Sequence, residues 1–152
     1  MLEVRVDIKG SKAIVGGFDR FAANAPAAVR RGLTRIVRGV HREAYDLLSG
    51  PGGDTGGYPV PVVTGHLRSH LDFLEPRQTK TANGAVFTTG DLDAMLFDSA
   101  RYATVIHDGA NSSSAHGPRS FADDALERFN EGDRMASIMD DELGDELKKV
   151  GK

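Results

Sequence analysis

Residues 26–49 read PAAVRRGLTRIVRGVHREAYDLLS and carry the most regular pattern in the chain. Apolar side chains recur there at steps of three and four residues, which is the spacing of one face of an α-helix. This apolar face consists of Val29, Leu33, Ile36, Val40, Ala44 and Leu47. The stretch therefore predicts a long amphipathic helix, roughly 36 Å in length at 1.5 Å per residue.

The opposite face of this helix carries a stripe of four arginines. They are Arg31, Arg35, Arg38 and Arg42. Guanidinium groups bind carboxylates and phosphates bidentately, so the stripe is a candidate for docking on an acidic protein surface or for contacting nucleic acid. A solvated helix face is the ordinary interpretation, and the stripe lacks aromatic residues on which bases could stack. We therefore expect docking on an acidic protein surface rather than nucleic-acid binding.

The segment before this helix predicts two further elements. Residues 2–9 alternate between apolar and charged side chains, which is typical of a half-buried strand. Apolar residues at helical spacing follow from Ile14 to Ala22 and indicate a short helix. Asn24 and Pro26 then punctuate the chain, so we expect the short helix to end before Pro26 and the long helix to begin there.

Glycine and proline dominate residues 49–63, where no hydrophobic period survives. Backbone entropy favours a flexible loop in such a segment, and long loops often become ordered on a partner. We predict that this loop contacts a neighbouring subunit or connector ring. The candidate contact residues are Gly52, Gly53, Asp54, Thr55, Gly56, Gly57 and Tyr58.

The middle of the chain predicts a β-meander. Residues 67–75, 84–89 and 101–107 are the expected strands, with Asn83-Gly84 as the turn between the first two. Residues 91–99 are ambiguous and fit either a short helix or an insertion. Together these elements indicate the α+β class, with a small antiparallel sheet packed against the long N-terminal helix and a C-terminal helix.

Residues 121–150 predict the C-terminal helix, which Gly132 and Gly144 could bend or interrupt. Its apolar arc contains Phe121, Ala125, Phe129, Met139, Leu143, Leu147 and Val150. Acidic residues crowd the far side, and the interface candidates among them are Asp123, Asp124, Glu127 and Glu131. A basic and an acidic helix face can meet within one molecule or between two. Our hypothesis is that they meet between subunits of an oligomer.

Composition limits the possible classes of protein. The chain has 152 residues, which fits a single domain over 1–152. Its 19 Lys and Arg are outnumbered by 22 Asp and Glu, so no overall basic field marks a nucleic-acid coat. No cysteine is present, which excludes disulfides and thiolate catalysis. No stretch approaches 18 apolar residues, so no membrane partner is expected.

Histidines in the stretch TGHLRSHL, residues 64–71, raise the question of a metal site. His66 and His70 would share a helix face, and His107, His116 or an aspartate could add a ligand, but the zinc-protease pattern needs a Glu where Leu67 stands. The same stretch lacks the sharp turn that exposes a nucleophilic serine in hydrolases. We therefore predict no catalytic residue, no metal site and no cofactor, and interpret the histidines as structural or interfacial. A metal-dependent enzyme built on them is the less favoured alternative.

Three segments in a fixed order carry a resemblance to a known family. They are VVTGHLRSHL (62–71), ARYATVIHDG (100–109) and GPRSFADDAL (117–126). The chain resembles the neck, or tail-completion, family of long-tailed bacteriophages, whose members show similar short patterns. The matching residues are Thr64, Gly65, Leu67, Arg68, Tyr102, Ala103, Val105, Gly109, Pro118, Phe121, Ala125 and Leu126. Two departures are His70, where a serine is common, and Arg119-Ser120, which separate Pro118 from Phe121.

This resemblance implies a non-enzymatic structural protein of the virion neck, present in the host cytoplasm during assembly. It implies an oligomeric ring, with six subunits suggested by the family. The expected partners are other copies of the chain, a head-side connector or head-closure protein, and a tail terminator or tail-tube protein. Genomic DNA would pass through the ring without sequence recognition. In this interpretation Leu67 and Leu71 anchor the core, Tyr102 and Val105 lie in a strand under the helices, and Phe121 seats the last helix.

Overall fold

A computed structural model describes residues 11–49, 66–101, 103 and 120–150, with side chains from residue 15 onward. Five helical or extended segments of the first part are α1 (Ser11–Leu47), α2 (His66–His70), β1 (Leu71–Leu74), β2 (Thr79–Ala82) and β3 (Ala85–Thr88). They are followed by β4 (Met95–Asp98), α3 (Phe121–Phe129) and α4 (Arg134–Leu147). This order confirms the predicted α+β class. The predicted strand at 2–9 and residues 50–63 of the predicted loop lie outside the described residues.

The long helix begins much earlier than the sequence predicted. Instead of a short helix followed by a break, α1 is a single 37-residue helix with Pro26 inside it. An internal proline removes one backbone hydrogen bond and costs about 3 kcal/mol in an isolated helix. The helix nevertheless continues because the C-terminal segment, α4 and the residues after it, packs against it on both sides of the proline. Gly17 lies beside Val150, and Gly32 lies beside Met139.

The four strands form one long hairpin that is folded back on itself. β1 pairs with β4 from Leu71 opposite Asp98 to Leu74 opposite Met95, and β2 pairs with β3 from Thr79 opposite Thr88 to Ala82 opposite Ala85. Contacts between the two antiparallel ribbons show that the hairpin folds back on itself. The Phe87 and Phe97 rings stack with centroids 4.1 Å apart, Lys80 pairs with Asp72, and Asn83 Nδ2 donates to the Ser99 carbonyl at 2.6 Å.

Several strand predictions need correction. Residues 66–70 are helical, so the strand expected at 67–75 begins only at Leu71. The ambiguous segment 91–99 contains strand β4. The strand expected at 101–107 does not begin as predicted, because the Ala103 amide donates to the Ala100 carbonyl at 3.0 Å and closes a turn. The turn at Asn83-Gly84 is confirmed, with φ angles of 48° and 82° that match the tight turns of hairpins.

The C-terminal segment forms two helices rather than one. α3 ends at Phe129, and a turn through Gly132 and Asp133, whose φ angles of 67° and 57° are left-handed, separates it from α4. This break changes the helical phase. As a result Leu147, predicted to be buried, is 51% exposed, and Ile138 is buried instead. Gly144 does not interrupt α4.

One cluster of buried side chains joins the helices to the hairpin. The cluster contains Val40, Ala44, Leu47, Leu48, Leu71, Phe121, Ala125, Phe129 and Ile138. Phe121 is only 3% exposed, as expected for the residue that packs the C-terminal helices onto the core, and Leu71 is buried as predicted. Leu67 packs against the edge of the cluster.

Glycines let α1 approach the C-terminal helices closely. A Cβ atom at Gly32 would come 2.5 Å from the Met139 sulfur, and one at Gly39 would overlap the Phe129 ring. Glycine weakens a helix by up to about 1 kcal/mol relative to alanine. At these two positions that cost is offset by the contact it permits with the partner helix.

Replacing Gly39 with alanine should lower the free energy of unfolding by about 1–3 kcal/mol, because the new methyl group displaces Phe129 from the core. The matched control is Gly144→Ala in α4, where an added Cβ meets nothing within 4 Å. That change should raise the free energy of unfolding by up to about 1 kcal/mol. Urea denaturation followed by circular dichroism measures both. Equal effects of the two substitutions would contradict the close approach.

Thr89 holds the bend of the hairpin. It is buried, and its hydroxyl donates to the Glu75 carbonyl at 2.6 Å and accepts from the Gln78 amide at 3.0 Å. Replacing Thr89 with valine keeps the shape but leaves both backbone groups without this partner. We expect a loss of about 1–3 kcal/mol in the free energy of unfolding. Thr81→Val on exposed β2 serves as the control, and a similar loss there would count against the role of Thr89.

Candidate functional site

The predicted arginine stripe contacts the C-terminal helix of the same chain. Arg31 Nε donates to Glu142 Oε2 at 2.8 Å, and Arg31 Nη2 donates to Glu146 Oε1 at 3.0 Å. Arg35 Nη1 donates to Glu142 Oε1 at 3.0 Å. Both arginines and both glutamates are spaced four residues apart, so one face of α1 matches one face of α4. The carboxylate of Glu142 is therefore held by two guanidinium groups.

Further arginines fasten α1 to the bend of the hairpin. Arg38 Nε donates to Glu75 Oε1 at 2.7 Å. Arg30 Nη1 lies 3.1 Å from Asp91 Oδ1, and Arg77 pairs with the same carboxylate. Glu75 and Asp91 lie at the bend of the hairpin, so the pairs that they form with Arg38 and Arg30 link the bend to the middle of α1. Arg42, the last member of the stripe, lies on an exposed part of the helix.

The ion pairs change the protonation of the acidic groups. A hydrogen bond from Arg31 holds the pKa of Glu142 below its ordinary value; burial opposes this shift, and a weaker hydrogen bond from Arg35 adds to it. Lys149 and Arg31 lower the pKa of Glu146, which is buried at the helix contact. The same contacts raise the pKa of Arg31. At neutral pH the glutamates are thus ionised, and much of the charge of the stripe is neutralised inside the chain.

The acidic interface candidates occupy a different helix from the carboxylates that the arginines bind. Asp123 and Asp124 lie in the first turn of α3, Glu127 lies on its exposed side, and Glu131 lies in the turn after it. A contact of these four residues with another subunit stays a prediction. The sequence pattern placed Glu142 on the acidic face, which we expected to meet the stripe between subunits, whereas the structure brings Arg31 and Arg35 to Glu142 within one chain. The shared four-residue spacing of the arginines and of Glu142 and Glu146 was the available signal.

The two histidines of the TGHLRSHL stretch lie beside each other on α2. The rings of His66 and His70 stack with centroids 5.2 Å apart. His70 Nδ1 donates to the His66 carbonyl at 2.8 Å, which uses one ring nitrogen inside the helix. Within the described ranges, no group of three His, Asp or Glu side chains is placed to hold a metal ion. His107 and His116 lie outside those ranges.

Asp98, at the end of β4, is the one group with an unsatisfied polar atom among the buried side chains that the structure describes. Its Oδ1 accepts the Ala100 amide at 2.8 Å, whereas its buried Oδ2 has no hydrogen-bond partner. Burial raises the pKa of this carboxyl, with a smaller opposing effect of the Ala100 amide and of nearby His70. The Ser99 amide donates to the His70 carbonyl at 3.2 Å, so the Asp98 carboxyl lies near the end of α2.

Most of the described motif residues have packing roles. Leu67 packs against the core, Ala103, Phe121 and Ala125 are buried, and the Arg68 guanidinium lies 5.5 Å from the centre of the Tyr45 ring. Leu126 is the exception, with 47% of its surface exposed. The remaining motif and loop residues fall outside the described part of the chain. They are Thr64, Gly65, Tyr102, Val105, Gly109, Pro118 and the loop candidates at 52–58.

Comparisons with other proteins add no assignment. No protein-family model, curated protein or solved structure matches the chain. Among the helices of the described ranges, none is both long enough and apolar enough to cross a membrane. The resemblance stated above therefore depends on the three short motifs, their order and their spacing.

Replacing Glu142 with glutamine should lower the free energy of unfolding at pH 7 by about 1 kcal/mol, since two partly exposed ion pairs lose their charge. The pKa of Glu142 is lower in the folded chain than its ordinary value of 4.5. The stabilisation is therefore fully present above about pH 4.5 and is lost as the pH falls through the folded pKa. Denaturation curves from pH 7 to pH 2 should show the two proteins converge in acid.

The control for this experiment is Asp140→Asn on an exposed position of α4. It should leave the free energy of unfolding nearly unchanged at every pH. A difference between wild type and Glu142→Gln that persists at pH 2 would mean that the arginine pairs are not its cause.

Proposed function

We propose that this protein is a structural subunit of the neck of a tailed bacteriophage, where it forms an oligomeric ring that joins the DNA-filled head to the tail. The observation that carries the proposal is the packing role of the motif residues. Leu67, Phe121 and Ala125, from two of the three motif segments, lie in or against one core, and Ala103 of the third is also buried. Residues that carry out catalysis would instead be expected to gather polar groups in a cleft.

The distribution of surface groups supports an assembly role. Arginines of α1 bind carboxylates of the same chain, while several large apolar side chains remain exposed on different elements. These exposed side chains are Val15, Phe18, Val86, Leu92, Leu126 and Leu147. Scattered apolar residues are normal on a monomer, but neighbouring ones at helical spacing mark surfaces that other proteins cover.

The partners in this proposal are further copies of the chain, a head-side connector or head-closure protein, and a tail terminator or tail-tube protein. The protein would act in the virion neck after assembly in the host cytoplasm. Genomic DNA would pass through the ring without sequence recognition. The acidic face of α3, with Asp123 and Glu127, is the proposed contact with a basic surface of a neighbour.

The two alternative functions find less support. A nucleic-acid module using the stripe would need guanidinium groups for phosphates, yet Arg31, Arg35 and Arg38 each bind a carboxylate within the chain. Phosphate binding would have to displace Glu142 or Glu75, which costs part of the contact between elements. An enzyme built on His66 and His70 would need a third metal ligand from His107, His116 or an aspartate, and the described residues contain no such group of three.

The test is to measure the mass of the purified protein by light scattering, alone and mixed with head-side and tail-side connector proteins of the same phage type. A discrete ring that forms with a connector and weakens at high salt is expected, because charge complementarity helps to set the contact. Double charge reversal, Asp123→Lys with Glu127→Lys, should weaken joining. Reversal of exposed Asp140 is the control. Absence of any complex with both connector types, at low and high salt, would refute the proposal.

A further inference from the structure

Asn83 lies at the tip of the folded-back hairpin and ties that tip to the end of β4. Its Nδ2 donates to the Ser99 carbonyl at 2.6 Å and lies 3.4 Å from Ser99 Oγ. Asn83 and Gly84 are both exposed, so water reaches the turn. The turn therefore combines an accessible side-chain amide with a contact that depends on the amide nitrogen.

Asn83 is the one asparagine of the sequence that is followed by glycine. Glycine has no side chain beside its backbone nitrogen, so this nitrogen can approach the side-chain amide of the preceding asparagine closely. The ladder between β2 and β3 ends with Ala82 opposite Ala85 and leaves Gly84 in the turn between them. The Gly84 nitrogen and the side-chain amide carbon of Asn83 are thus neighbours at an exposed turn.

We propose that Asn83 is a site of spontaneous deamidation and that its conversion releases the hairpin tip from Ser99. This inference does not depend on the proposed neck function. In the first step the Gly84 nitrogen attacks Asn83 Cγ. A bond forms between these two atoms, the bond from Cγ to Nδ2 breaks, and ammonia leaves with the proton of the Gly84 amide.

Water completes the reaction by opening the cyclic imide that this step forms. The water oxygen bonds to either carbonyl carbon of the imide, the bond from that carbon to nitrogen breaks, and one water proton passes to the nitrogen. The product is an aspartate or an isoaspartate, and no oxidant, reductant or cofactor takes part. Because the attacking nitrogen must give up its proton, the reaction accelerates as the pH rises above neutral.

The product of this reaction cannot make the contact with Ser99. An amide nitrogen donates a hydrogen bond, whereas an ionised carboxylate only accepts. Deamidation therefore places a negatively charged oxygen against the Ser99 carbonyl oxygen, and the two repel each other. The release of the tip is irreversible, while the stack of Phe87 on Phe97 still holds the rest of the hairpin.

Two other asparagines of the described ranges have a different arrangement and serve as internal controls. Asn24 lies inside α1, where the Ala25 amide belongs to the helical hydrogen-bond pattern. Asn130 precedes Glu131, whose amide donates to the Arg128 carbonyl at 3.3 Å. In both cases the nitrogen that would attack is held by a hydrogen bond and carries a residue with a side chain.

The reaction is tested by incubating the folded protein at mildly alkaline pH in water labelled with heavy oxygen and locating the label by peptide mass spectrometry. Asn83 should acquire label at least about tenfold faster than Asn24 and Asn130, because only its attacking nitrogen is unhindered. Unfolding the protein in urea should raise the rate at Asn83 further, since the Ser99 contact holds the leaving nitrogen. Equal rates at the three asparagines, or reaction at Asn83 in urea alone, would overturn the proposal.

The consequence is tested with Asn83→Asp, which introduces the product directly. Aspartate tolerates the left-handed φ of 48° at this position as asparagine does. Amide hydrogen exchange in β2 and β3 should become about three- to tenfold faster, because one hydrogen bond of the tip is lost. Asn83→Gly accepts the same φ and removes the donor without adding charge, so its exchange should lie between the two. Exchange of Asn83→Asp at the wild-type rate would overturn the release of the tip.

Discussion

α1 lies against α3 and α4 along a line where glycines take the place of larger side chains, and this close approach positions the rest of the structure. Gly39 accommodates the Phe129 ring, and Gly32 accommodates Met139. Because the backbones come together there, Phe121 and Ala125 reach the core from α3, and Glu142 comes within hydrogen-bonding distance of Arg31. Any side chain at Gly39 would separate the helices that carry both the core and the ion pairs.

The ion pairs give the arginine stripe a structural role within the chain. Partly exposed pairs of this kind contribute little individually, so their main effect is to orient α4 along α1 and to hold the hairpin bend. The proposed contact with a neighbouring protein therefore lies on another surface, the acidic side of α3.

Several features could be predicted from local pattern. The helix over residues 26–47, the tight turn at Asn83-Gly84 and burial of Phe121 and Ala125 each follow from spacing or turn chemistry within a few residues. The continuation of α1 through Pro26 could not be predicted, because contacts with residues distant in sequence, such as Val150, offset the cost of the proline. Strand β4 was missed because its pairing with β1 depends on a hairpin bend that the local sequence does not mark.

By itself, the sequence determined the α+β class, the amphipathic character of the long helix and the positions of its arginines, since all of these depend on residue type and short-range periodicity. Only the tertiary structure decided which acidic groups those arginines bind. Glu75, Asp91, Glu142 and Glu146 are separated from their partners by 37 or more residues. Such choices depend on how closely helices approach and where a hairpin bends, and these distances are set by packing between elements rather than by pattern within one.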